Sequence, residues 1–67
     1  MKNENRAFEF EALVAEGQVI AIEVQGMRFE NEQRMALGQS MAYVEDSFLI
    51  KANEMRLIID KLRGLKG

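Results

Sequence analysis

The chain has 67 residues, no cysteine, no histidine and no proline, and a formal net charge of −2 at pH 7. This composition excludes disulfides, makes a zinc site improbable and removes the commonest acid/base group and the strongest common nucleophile of enzymes. Since so short a chain buries only about 60% of its surface alone, we expect one domain over residues 1–67. We expect it to be non-enzymatic, to have no cofactor or metal, and to be stabilised by association with copies of itself.

The first predicted element is a β-hairpin over residues 7–25. Apolar residues alternate with glutamates in residues 7–14, and residues 19–24 are rich in β-branched side chains. Both patterns are typical of strands. Gly17 supplies the turn between the two strands, and Gly26 the corner after the second.

The first strand has a helical alternative. Alanine and glutamate favour helix in residues 5–16, with Gly17 as the end of that helix. The apolar residues that share a face in this alternative are Ala7, Phe10, Leu13 and Val14. The second strand is the safer assignment of the two.

A long amphipathic helix is predicted over residues 29–64, with Asn31 as its N-cap and Gly64 as its stop. Unbroken, it would be about 50 Å long, whereas a compact domain of this size is about 25–30 Å across. Either Gly38 breaks the helix or a long helix projects and pairs with another chain. The predicted fold class is therefore α+β, with a hairpin followed by a self-associating helix.

Nine positions of this helix are spaced alternately by four and three residues, and eight of them are apolar. This is the a/d seam of a coiled coil. A second stripe, formed by Tyr43, Ile50 and Leu57, leaves more apolar surface than one hairpin covers. We therefore predict a homo-oligomer whose interface is the seam: Leu37, Met41, Val44, Phe48, Met55, Ile58, Leu62 and Leu65.

Lys51 is the one charged residue on this seam. It can lie at the edge of the core, specify the register or subunit number, or bind an anion between subunits, and we favour the second role. The speculative ligand-binding set adds two arginines from the hairpin–helix junction and the single tyrosine. Its members are Arg28, Arg34, Tyr43 and Lys51.

The predicted function is to bind or occupy a partner protein, as a phage or bacterial inhibitor or regulator in the cytoplasm. No apolar run reaches the length of a membrane span. One alternative is an oligomer that sequesters a small anion or nucleotide. The other is a DNA-binding regulator of the ribbon–helix–helix type, which is disfavoured because residues 1–50 carry nine acidic and four basic side chains.

Overall fold

A computed structural model describes the backbone of residues 2–66 and the side chains of residues 6–65. Over this range the chain is a hairpin of two antiparallel helices. Helix α1 spans Lys2–Ala36 and helix α2 spans Glu45–Lys66. Residues 37–44 form the loop between them, and residues 2–66 contain no strand.

The predicted β-hairpin is wrong, because residues 7–25 all lie within α1. The period of two in residues 7–14 coexists with a helical period that continues along the whole helix. Seven positions spaced alternately by three and four residues lie on the face of α1 that is turned toward α2 and the loop, and all but Phe10 are buried or half-buried: Phe10, Leu13, Gly17, Ile20, Val24, Met27 and Asn31. Packing of this long face outweighs the strand preference of the β-branched run.

The core lies along the line where the two helices meet. Leu13, Ile20 and Ile58 are buried together. The partly buried side chains packed against them are Val24, Met55, Leu62 and Leu65. Because the core is only two helices thick, no large side chain in the described part of the chain is completely removed from solvent.

Gly17 does not form a turn but lies inside α1, facing α2. A β-carbon built on Gly17 would lie 3.5 Å from the sulfur of Met55. This is an ordinary van der Waals distance, so Met55 packs directly over Gly17 with room for no more than a small side chain. Gly26, predicted as a corner, is also helical and has open space where its side chain would be.

Gly38 breaks the helical region, which decides between the two alternatives for residues 29–64. Its φ of +75° is readily accessible only to glycine. Gln39 N–H donates to Arg34 C=O at 2.7 Å, and Gly38 N–H donates to Met35 C=O at 3.0 Å. This pair of hydrogen bonds is a Schellman motif, which satisfies the last carbonyls of α1.

Asn31 is not an N-cap, because it lies inside α1 and is buried. Its side-chain amide donates to the Tyr43 carbonyl at 2.8 Å and accepts from the Tyr43 N–H at 2.9 Å. Asn31 thus fixes the end of the loop against α1.

The start of α2 carries Glu45 and Asp46, whose charges complement the helix dipole. Gly64, predicted as the stop, lies inside α2, which continues to Lys66.

The hairpin is elongated, with principal extents of 56 × 16 × 10 Å and a radius of gyration of 16.1 Å. A compact domain of this length has a radius of gyration of about 11 Å. Each helix therefore has only one neighbour, and most of its circumference faces solvent.

Candidate functional site

Helix α1 has a second apolar face, which we call the outer face. Its seven residues are spaced alternately by four and three and all are exposed: Phe8, Ala12, Ala15, Val19, Ile22, Gly26 and Phe29. At 100° per residue this face is centred about 160° around the helix axis from the face that packs on α2. Its large side chains are more than half exposed, with Phe8 at 73%, Ile22 at 67% and Phe29 at 60%.

Acidic side chains line both edges of the outer face. The edge nearer α2 consists of glutamates at seven-residue spacing: Glu9, Glu16, Glu23 and Glu30. The other edge has glutamate and glutamine at the same spacing: Glu11, Gln18, Gln25 and Glu32. Neither edge contains a lysine or an arginine, so the outer face is an apolar stripe with a negative rim.

Part of this charge is balanced within the hairpin. Lys51 Nζ lies 3.2 Å from Glu23 Oε2, and Arg34 Nε lies 2.9 Å from Glu30 Oε1. Among the side chains described over residues 6–65, Glu9, Glu11 and Glu16 form no ion pair. Among the described side chains, the ion pairs of the rim therefore lie in its C-terminal half.

An open apolar groove of about 620 Å³ runs between the helices beside the outer face. Its α1 wall includes Ala12, Ala15 and Val19, which also belong to the outer face, and its α2 wall includes Leu57. The charged residues of the groove have both signs: Glu16, Glu54 and Lys61. Leu57, from the predicted second stripe of the helix, is 61% exposed here.

A second, smaller cavity of about 430 Å³ lies nearer the loop. It brings together two of the four predicted ligand residues, Tyr43 and Lys51, with Glu23, Gly26 and Met27. Lys51 contacts both Glu23 and Glu54, the latter at 3.3 Å. The hydrogen bond to Glu23, reinforced by Glu54, raises the pKa of the Lys51 ammonium despite its partial desolvation.

The other two predicted ligand residues lie elsewhere. Arg28 lines a shallow depression on α1 with Gln25, Phe29 and Glu32. Arg34 lies nearly two turns further along α1 and is paired with Glu30. Neither arginine lines the cavity of Tyr43 and Lys51, so the structure assembles half of the predicted set.

The predicted seam is divided by the loop. Leu37, Met41 and Val44 precede α2 and are exposed. Phe48 is half-buried in the first turns of α2. The remaining seam residues face α1 of the same chain: Met55, Ile58, Leu62 and Leu65.

Sequence reasoning missed the outer face, the α1 wall of the groove and the role of Asn31. The signal for the outer face was present, because its seven positions follow the same four-and-three spacing as the predicted seam. Reading Gly17 and Gly26 as turns divided that series into short pieces. No sequence pattern predicts the contact of Asn31 with Tyr43, because this contact depends on how the loop folds back onto α1.

No known protein family, no curated protein and no solved structure matches this chain. Over the described residues, neither helix contains a stretch that is both long and apolar enough to cross a membrane.

Proposed function

We propose that this chain is a non-enzymatic interaction protein of the cytoplasm that dimerises and binds another protein through its exposed apolar surfaces. The observation that carries the proposal is the amount of accessible surface. A compact monomer of 7.7 kDa exposes about 4300 Å², whereas this hairpin exposes 5618 Å². The excess is larger than the roughly 800 Å² that each partner contributes to a standard interface.

The groove is the surface that we assign to the dimer. A two-fold interface places the same patch on both subunits. The patch must therefore contain both positive and negative residues, so that those of one subunit can face the opposite charges of the other. The groove meets this condition because Lys61 lies on the same patch as Glu16 and Glu54. The seam of α2 is already used to hold the two helices together, which leaves the groove as the available apolar surface with both charge signs.

The anion-sequestering alternative has less support from the geometry. The one cation in the cavity of Tyr43 and Lys51 is already paired with two carboxylates. An anion entering this cavity would have to replace Glu23 and Glu54. The DNA-binding alternative needs a ribbon strand, and residues 19–25, the candidate for that strand, lie in α1.

Two leucines of α2 provide a matched test of the dimer. Leu57 lines the groove and is 61% exposed, whereas Leu49 is 51% exposed and does not line it. We expect Leu57→Asn to shift the protein to a monomer at micromolar concentration, and Leu49→Asn to keep the dimer. Light scattering after size exclusion measures both masses. A monomeric wild type, or equal masses for the two variants, would contradict the assignment of the groove.

A further inference from the structure

We propose that the outer face of α1 binds an amphipathic helix of a different protein, one whose apolar stripe is flanked by lysine or arginine. This inference rests on the proposed function, since it names the partner chemistry of the same interaction protein. It starts from the spacing of the outer face. Seven exposed positions alternate by four and three residues, which is the pattern that packs against another helix.

The face is long enough for specific helix packing. From Phe8 to Phe29 it covers 22 positions, or about 30 Å of helix at 1.5 Å per residue. Large side chains stand at its two ends and near its middle, whereas Ala12, Ala15 and Gly26 leave depressions between them. A partner helix can place its own large side chains in these depressions, as knobs fit into holes.

Charge decides against a second copy of α1 as the occupant. The edges of the face supply six glutamates and two glutamines, so two such faces would bring glutamates against glutamates in either orientation. Like charges at the flanking positions of paired helices disfavour association and select other partners.

Helix α2 of a second copy is also a poor occupant. Its exposed stripe contains Ile50 and Leu57. One side of this stripe has Asp46, Asn53 and Asp60, and the other has Ser47, Glu54 and Lys61, so its flanks include three carboxylates and one lysine. These carboxylates would lie against the glutamate rim. A helix with basic flanks has the opposite charge, and it would balance the glutamates that lack an ion pair among the described side chains, including Glu9 and Glu16.

The probe for the test is a labelled helical peptide about three heptads long, with leucine at its a and d positions and lysine at e and g. A matched peptide carries glutamate at e and g. In about 150 mM salt, where long-range attraction is screened, we expect fluorescence anisotropy to show binding of the lysine peptide and none of the glutamate peptide. Equal binding of both peptides, or no binding of the lysine peptide, would overturn the proposal.

Variants separate apolar packing from general attraction to an acidic protein. Ile22→Asn leaves the charge unchanged and removes the centre of the outer face, so we expect the lysine peptide to bind about tenfold more weakly. Leu49→Asn, on α2 and outside both surfaces, should change the affinity by less than about twofold. Similar losses in both variants would show that attraction is non-specific and would overturn the proposal.

The oligomeric state distinguishes this proposal from the dimer. Ile22 does not line the groove, so Ile22→Asn should remain dimeric while binding the peptide more weakly. The groove and the outer face share Ala12, Ala15 and Val19, so a second copy and the peptide compete, and Leu57→Asn should be monomeric and bind the peptide at least as tightly as the wild type. If Ile22→Asn instead became monomeric, a second copy would be the occupant of the outer face and the inference would fail. If the wild type were monomeric but bound the lysine peptide, the dimer assignment would fail and this inference would stand.

Discussion

Asn31 is the residue that connects the loop to the body of the hairpin. Its amide hydrogen-bonds to both the backbone N–H and the backbone C=O of Tyr43, and Asn31 is itself buried. We expect Asn31→Ala to lower the free energy of unfolding by about 1–3 kcal/mol, because buried polar groups lose their partners. Asn53→Ala, on the exposed side of α2, is the control and should be nearly neutral. Urea unfolding followed by circular dichroism measures both, and equal effects would show that the Tyr43 contact contributes nothing.

Lys51 links the helices through Glu23, and its effect on stability depends on pH. The pKa of Lys51 is raised above its ordinary value of 10.5 in the folded chain. A raised folded-state pKa stabilises the fold below the unfolded-state value, and that stabilisation is lost as pH rises through the folded-state pKa. The contribution is therefore complete at neutral pH and disappears only in alkaline solution.

We expect the unfolding midpoint of the wild type to fall toward that of Lys51→Met as pH rises from about 9 to about 12. Glu23→Gln removes the principal partner of Lys51 and should reduce the same alkaline dependence. Thermal unfolding across this range gives the result. A constant difference between the wild type and Lys51→Met at every pH would argue against a raised pKa.

At the scale of elements, the continuity of α1 through its glycines is the feature that separates a helical hairpin from the predicted β-hairpin. Gly26 is helical with free space around it, whereas Gly38 has a positive φ. We expect Gly26→Ala to stabilise the protein by about 1 kcal/mol through helix propensity. Gly38→Ala should destabilise it by about 1–2 kcal/mol, because an L-residue disfavours the left-handed conformation. If Gly26→Ala destabilised the protein instead, the result would favour a turn at Gly26 over a helix.

The sequence predicted α2 better than α1 for a physical reason. From Phe48 onward the spacing of the apolar residues and the helix propensity of the sequence both indicate a helix. The packed side of α2 could therefore be predicted from the sequence without knowing that it packs on α1. In α1 the local signals conflict, because residues 19–24 favour strand while the spacing over the whole helix favours α-helix. Contact with α2 decides the outcome, and that contact depends on residues about 30–40 positions away along the chain.

The interaction surfaces were predictable only in part. Exposure of Leu57 follows from the second stripe on the predicted helix, and the structure places this residue in the groove. The outer face requires residues 8–29 to form one helix, so it could not be derived from a β-hairpin. The ion pair of Lys51 with Glu23 likewise needs the alignment of α1 and α2, which no local pattern specifies.

On the scale of the whole molecule, two helices enclose too small a core to cover the apolar residues of the chain. Buried apolar side chains in the described range are limited to Leu13, Ile20, Met27 and Ile58, while large apolar side chains remain exposed on both helices. A second hairpin packed in the groove would cover Leu57, a basic helix on the outer face would cover Ile22 and Phe29, and either partner would cover Val19, which both surfaces share. In the proposed dimer, association would complete the hydrophobic core that two helices leave open.

Sedimentation equilibrium of the unmodified chain tests this conclusion most directly. Across the micromolar range we expect a mass of twice the 7.7 kDa of one chain, because each groove covers the other. A mass of 7.7 kDa at every concentration in that range would show that the hairpin is stable with its apolar groove exposed, and would contradict the proposed dimer.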